Sequence, residues 1–289
     1  MAAIISGERI AAELRQTVAS DIAELRGQRG VVPALAVVLV GDDPASHVYV
    51  RMKVRRCRDV GIRSFEHRLG ADASQSELLE LIGQLNDDPD VHGILVQLPL
   101  PPQMNAALIL DTIDPKKDVD GFHPVNVGRL STGTSELIPC TPLGCMKLLD
   151  TVIDDYRGLK CVVIGKSNIV GKPVSLLLLE RECTVTVTHI YTRNLSDIVR
   201  TADIVIVAAG SPGLLRGDWV RPEAVVIDVG INRIFNEDGT SRLVGDAMFE
   251  EMHHVRAITP VPGGVGPMTI ACLLENTVKA ARLAVVDHG

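Results

Sequence analysis

A chain of 289 residues with 46% hydrophobic and 22% charged content is long enough to bury one large core or two smaller ones, and too apolar for disorder to be its default. Its 36 acidic against 29 basic side chains leave a formal net charge of −7, which argues against a general nucleic-acid binder, and aromatics at 3% offer few platforms for stacking bases. The N-terminus MAAIISGERIAAEL has no basic stretch followed by an apolar core, and no apolar run reaches the length of a membrane span, so a cytoplasmic chain without a membrane partner is expected. The six cysteines (Cys57, Cys140, Cys145, Cys161, Cys183 and Cys272) form no C-x-x-C pair; they read as small buried hydrophobes, and no metal site is expected.

In chain order, Ile10, Leu14, Val18, Ile22 and Leu25 fall on one face of a helix running from about Gly7 to Arg29. ALAVVLVG (34–41) is a near-continuous apolar run ending in glycine, the pattern of a strand buried on both faces of a parallel sheet. GDDPAS opens a helix through Val60, IRSFEHR is a second strand, and Ser74 to Leu85 is an amphipathic helix. HGILVQLPLPP (92–102) is a buried strand stopped by prolines. DPKKDVDGFHPVNVGRL and PCTPLG, rich in Pro, Gly and Asp, read as loops leading into a linker. A second unit begins at LKCVVIG (159–165), continues with a helix through PVSLLLLE, and adds the runs CTVTVTHI, ADIVIVAAG and AVVIDVG; this spacing predicts a Rossmann-like domain. MTIACLLENTVKAARLAVV closes the chain as a long helix.

Five constellations can carry chemistry. Gly165 and Gly171 bracket a strand-to-helix turn with Lys166 and Ser167 inside it and Pro173 in the first helical turn, a place suited to pyrophosphate. The strand after it ends THIYTRN, with Thr192 and Arg193 and no carboxylate for ribose hydroxyls; Lys166 and Arg193 can face a 2′-phosphate or simply be solvated cations. Tyr49 and Lys53, four apart, share a helical face, which by itself reads more readily as packing than as catalysis. Gln97 stands at the C-terminal end of a buried strand, where open α/β sheets bind ligands. Asp118, Asp120, His123 and Asn126 lie in one loop, where a carboxylate can accept two parallel N–H bonds from a guanidine-like edge such as a pterin's, or take part in turn chemistry. Thr259 to Thr269, TPVPGGVGPMT, is a Pro/Gly loop that brings bare backbone close to a ligand or serves as a rigid connector.

The segments YVRMK, GILVQLPLP, DVDGFHPVNVG, GKSNIVGKP, VIDVGINR and TPVPGGVGPMT, in this order, closely resemble the bacterial bifunctional methylenetetrahydrofolate dehydrogenase/cyclohydrolase family over nearly the whole chain. The resemblance implies two α/β domains: an N-terminal folate-binding domain over 1–142 and a Rossmann-like NADP-binding domain over 143–267, with a substrate cleft between them and the helix 268–289 packed back on the first. It implies Lys53 as the catalytic lysine, Tyr49 shaping its site, Gln97 tuning it, and Asp120 holding the pterin. It places Pro262, Gly263 and Gly264 near substrate and nicotinamide. Gly165, Lys166, Ser167, Gly171, Pro173, Thr192, Arg193 and Ile231 fall to NADP. Many members carry Arg where this chain has Lys166, a point charge without the guanidinium fork. Tetrahydrofolate derivatives as substrates and a homodimer complete the expectation. Two rival readings share the architecture: a shikimate dehydrogenase-like enzyme, which leaves VQLPLP and PGGVGPMT unexplained, and a dinucleotide sensor without chemistry, which leaves Tyr49, Lys53, Gln97 and Asp120 unexplained.

Overall fold

The computed structural model of the protein describes residues 1–235 and 239–287; the last two residues of the expected C-terminal helix lie outside them. The chain opens with strand β1 (Ala3–Ile4) and helix α1 (Gly7–Arg29). Strand β2 (Ala34–Val40), helix α2 (Pro44–Val60), strand β3 (Arg63–Leu69), helix α3 (Gln75–Asp87) and strand β4 (Gly93–Val96) follow. Helices α4 (Ala106–Thr112), α5 (Pro124–Ser131) and α6 (Cys140–Leu149) lead to strand β5 (Lys160–Ile164), helix α7 (Gly171–Glu180), strand β6 (Thr184–Thr188), helix α8 (Leu195–Val199) and strands β7 (Ile204–Val207) and β8 (Val225–Asp228). The hairpin β9 (Asn232–Phe235) and β10 (Ser241–Val244), strand β11 (Ala257–Ile258) and helix α9 (Val265–Asp287) complete it.

Two compact units emerge, one of residues 13–140 with 270 onward, the other of 1–12 with 141–269. In the first, the strands run parallel in the order β3–β2–β4. All seven residues of central β2 are buried, which is why its sequence shows no alternation. Helix α3 docks Leu78, Ile82 and Leu85 into a cluster with Ala36, Val38, Ile94 and Val96, each large aliphatic contributing roughly 1.5–3 kcal/mol by leaving water. Its start is fixed by a capping box in which Ser74 and Glu77 bond each other's backbone N–H. Helix α2 is held at its start by the Asp43 carboxylate, which accepts from the Ser46 N–H at 2.8 Å, and at its end by Gly61 at φ +93°.

Three expectations need correction in this unit and its border. Strand β4 ends at Val96, well short of the expected 102, because Pro99, Pro101 and Pro102 have no N–H to give a neighbouring strand. The segment read as loop and linker contains α5 and α6. Helix α5 has only eight residues, too few to display a period, although His123 as N-cap and Pro124 in its first turn mark the start. In α6, Cys140, Cys145, Met146, Leu148 and Leu149 are all buried, and a helix buried on most sides shows no clear apolar stripe.

The second unit is a six-stranded parallel sheet in the order β1–β11–β8–β7–β5–β6. The four expected strands are its β5 to β8; the two-residue strands β1 and β11 extend one edge, Ala3 and Ile4 pairing with Ala257 and Ile258. The first twelve residues therefore go with this sheet. Strand β5 has β6 on one side and β7 on the other, so the strand order reverses there, and the C-terminal ends of β5 and β7 mark the place where open α/β sheets form a ligand crevice.

Candidate active site

In the first unit, α2 carries Tyr49, half-buried, and Lys53, buried to 9% exposure, on the face turned to the sheet. The Lys53 ammonium donates to Gln97 Oε1 at 3.0 Å. Gln97 follows the end of β4, and its amide N–H₂ donates to the Leu98 carbonyl at 2.6 Å, so both ends of its amide are engaged and its oxygen is aimed at the lysine. The partner of a buried ammonium is thus a neutral amide oxygen and not a carboxylate. Asp120 lies within electrostatic reach of Lys53 and is partly buried; burial pushes its carboxyl up, Lys53 pulls it down and Asp118 raises it further. The sequence constellation around Asp120 divides into two jobs. Asp118, 1% exposed, is consumed by structure: it accepts from the N–H groups of Gly121 and His123 at 3.1 and 2.8 Å and from Asn126 Nδ2 at 2.9 Å. His123 caps α5, Nδ1 accepting from the Val125 N–H at 3.1 Å while Nε2 sits 3.1 Å from the Asp111 carbonyl, which needs a proton on Nε2. Asp120 takes no backbone N–H among the described residues and has the Cys140 thiol as a side-chain neighbour, so its carboxylate is the freer of the two for a ligand. Cys140 donates to the Val119 carbonyl at 3.2 Å, and its thiol is pushed well up by burial and the nearby Asp120, so it is no nucleophile.

In the second unit, Gly165 follows β5 at φ +123°, and a Cβ there would stand 2.1 Å from the Ala208 carbonyl oxygen. A Cβ on Gly171 would stand 2.1 Å from the Gly165 carbonyl oxygen, so the turn closes only with glycine at both ends. Ser167 braces the turn, its Oγ accepting from the N–H groups of Val170 and Gly171 at 3.2 and 3.3 Å. The backbone N–H groups of Lys166, Ser167, Asn168 and Ile169 are left without partners among the described residues, on exposed chain before α7, and Pro173 is buried in that helix's first turn. A row of free amides at a helix start fits a pyrophosphate. Lys166 and Arg193 are exposed; Thr192 is occupied, its hydroxyl accepting from the His189 N–H at 2.8 Å. Ile231 is 46% exposed beside Gly266, and the loop of Pro262, Gly263 and Gly264 precedes α9, with Gly263 at φ +100° and its carbonyl accepting from the Glu8 N–H at 3.0 Å.

The model of the tetrahydrofolate dehydrogenase/cyclohydrolase catalytic domain matches residues 5–120, and that of the same family's NAD(P)-binding domain matches 139–285. The chain belongs to the tetrahydrofolate dehydrogenase/cyclohydrolase family. Bifunctional protein FolD 1 of Rhizorhabdus wittichii is 71% identical over 282 residues, covering 98% of this chain and 96% of the relative. The crystal structure of the bifunctional enzyme FolD, methylenetetrahydrofolate dehydrogenase/cyclohydrolase, from Campylobacter jejuni superposes with a TM-score of 0.94 at 49% identity, covering 98% of this chain and 99% of that one. The FolD of Trypanosoma brucei, solved with NADP cofactor and inhibitor, gives 0.94 at 38% identity and 98% coverage of both chains. Shikimate 5-dehydrogenase from Thermus thermophilus reaches a TM-score of 0.52 at 15% identity, covering 86% of this chain and 99% of that one, a likeness of fold alone.

Within this family member, sequence reasoning passes over two buried carboxylates in the second unit. Asp228 ends β8 and Asp246 follows β10, 3% and 0% exposed, both engaged by backbone N–H groups. Their signals are present: an Asp ending an apolar strand in VIDVG, and Gly-Asp in VGDAM. Among the described residues no group of three or more His, Cys, Asp or Glu could hold a metal ion, all six cysteines are free and buried, and no helix is long and apolar enough to cross a membrane.

Proposed function

We propose that the chain oxidises 5,10-methylenetetrahydrofolate to the methenyl form with NADP and then hydrolyses the methenyl ring to 10-formyltetrahydrofolate, with Lys53 as the acid/base group of the hydrolysis. The observation that carries this reading is the Lys53 Nζ to Gln97 Oε1 bond of 3.0 Å, with Asp120 in the same unit. Bound NADP supplies the hydride acceptor. The hydride step moves positive charge onto the folate's one-carbon bridge, where the ring nitrogen lone pair stabilises it, so the protein's task there is alignment. Asp120 aligns by accepting two N–H bonds from the pterin edge. Hydrolysis differs: water adds to the methenyl carbon and loses a proton, and the departing ring nitrogen must gain one. Lys53 is suited to carry that proton, because its nitrogen is buried and Gln97 Oε1 orients it at 3.0 Å.

Tyr49, one turn before Lys53, shapes the same face; the family resemblance assigns the Pro262, Gly263 and Gly264 loop to substrate and nicotinamide. The cofactor falls to Gly165, Ser167, Gly171 and Pro173 at the pyrophosphate, with Thr192 and Ile231 alongside, while Lys166 and Arg193 favour the 2′-phosphate of NADP. We further infer functional domains close to the expected 1–142 and 143–267, except that the first twelve residues go with the second and the C-terminal helix with the first; a homodimer and a cytoplasmic location are supported by family resemblance. The test is absorbance-monitored turnover of methylenetetrahydrofolate with NADP and with NAD, followed by decay of the methenyl product. NADP-linked oxidation followed by enzyme-accelerated decay is expected; turnover of shikimate instead, or no turnover of either, would refute the reading.

A further inference from the structure

The two carboxylates that the proposed chemistry leaves unused sit beside the crevice at the strand-order reversal. Asp246 accepts four hydrogen bonds: Oδ2 from the N–H groups of Ala209 and Gly210 at 2.7 and 2.8 Å, and Oδ1 from the Ser211 N–H at 2.9 Å and Asn232 Nδ2 at 2.8 Å. Ala209 to Ser211 is the loop that leaves β7, and Ala208 just before it is the residue against which Gly165 packs. The loop therefore packs directly beside the turn of free amides, at the C-terminal ends of β5 and β7. Asp246 is fixed in turn. Its own N–H donates to Asp228 Oδ1 at 3.0 Å, and Asp228 also accepts from the N–H groups of Gly230 and Ala247 at 2.9 Å each. The Asp228 N–H donates to Thr259 Oγ1 at 2.8 Å, at the start of the Pro/Gly loop. Two glycines are demanded by this stack: a Cβ on Gly230 would lie 2.4 Å from the Asp246 carboxyl, and one on Gly245 would lie 1.9 Å from Asp228 Oδ2.

We propose that Asp246, braced by Asp228 and Asn232, is a positioning residue for the dinucleotide: it sets the 209–211 loop against the Gly165 turn so that the crevice is formed before NADP arrives. An ion pair is not the reason for its burial, since every partner is an amide. One carboxylate gathers three consecutive N–H groups of a loop that would otherwise be free to rearrange, and a neutral amide cannot do the same, because its N–H₂ end would face donors. Preorganisation of this kind is read in cofactor affinity, since a disordered loop has to be ordered again on binding.

The proposal rests on NADP being the cofactor, and the experiment separates the two. The full chain as wild type, Asp246→Asn and Asn232→Ala is titrated with NADP by calorimetry, and each protein's cyclohydrolase rate is measured on methenyltetrahydrofolate without dinucleotide. We expect Asp246→Asn to weaken NADP binding by about ten-fold or more and Asn232→Ala by a smaller factor, on the order of three-fold, with cyclohydrolase rates near wild type in both. Wild type that binds no NADP would remove the cofactor reading itself. Wild-type affinity in a folded Asp246→Asn would overturn the positioning role, as would parallel loss of NADP affinity and cyclohydrolase, which marks a merely structural residue. If Asp246→Asn does not fold, Asn232→Ala decides: unchanged NADP affinity there overturns the proposal.

Discussion

The two units build their sites from different materials. In the unit of residues 13–140 the candidate chemistry lies in side chains: an ammonium held by a neutral amide at 3.0 Å and a carboxylate in electrostatic reach of it. In the unit of residues 141–269 it lies in the backbone: free amides before α7, glycines whose Cβ atoms would strike neighbouring carbonyls, and a loop gathered by a buried aspartate. The difference follows from the tasks. Moving a proton needs a titratable group, whereas cradling a phosphate and aligning a ring need fixed dipoles and close approach. Substitutions in the first unit should therefore separate reactions, and substitutions in the second should separate cofactors.

The largest effect is expected at Lys53. Lys53→Met keeps the stem in its buried place and removes the proton carrier, so the cyclohydrolase rate, followed as decay of methenyl absorbance, should fall roughly 10²–10⁴-fold. A variant that hydrolyses at the wild-type rate would end the acid/base role. Next is Asp120→Ala, which leaves pterin donors unpaired and should cost on the order of 2–3 kcal/mol in folate binding, raising the folate KM of both reactions together. An unchanged folate KM would remove Asp120 from the site.

A third effect concerns stability. Burial pushes the Asp228 carboxyl up from 3.8 to about 6, with three backbone N–H bonds opposing and the neighbouring Asp246 adding to the rise. A raised value means the folded state binds the proton more tightly than the unfolded one. The contribution is thus fully present below about pH 4 and lost as pH rises through about 6, with roughly 3 kcal/mol at stake. Urea unfolding of wild type and Asp228→Asn from pH 4 to 7.5 should show the wild type losing ground to the variant as pH rises; a difference independent of pH would contradict this. The smallest effect belongs to exposed charge. Lys166→Ala with Arg193→Ala should reduce NADP preference over NAD by only about five-fold, and less at high salt. Equal kcat/KM for the two cofactors in wild type and double variant alike would remove both residues from the 2′-phosphate.

The same contrast explains what can be read from the sequence. Side-chain chemistry is legible because Tyr49, Lys53, Gln97 and Asp120 each stand in a short distinctive string, and buried strands such as 34–40 announce themselves by apolar runs. Backbone chemistry is legible only where glycine marks it, as at Gly165 and Gly171. Asp246 escapes because its partners are amides of residues 209–211, some thirty-five positions away, and a carboxylate gathering N–H groups has no pattern of its own. Asp118 looks equivalent to Asp120 in DVDG, and only its three hydrogen bonds show it to be spent on the loop. Helix α6 is hidden for the opposite reason: burial on most sides erases the period that reveals a helix.

The division of labour between the units is tested most directly by measuring both rates on the same folded protein for two variants, Lys53→Met and Lys166→Ala/Arg193→Ala. The ratio of cyclohydrolase to NADP-linked dehydrogenase rate should fall steeply in the first, and in the second, assayed at a sub-saturating NADP concentration, it should rise. Equal losses of both activities in both variants would contradict the account, because the side-chain site and the backbone site would then be acting as one.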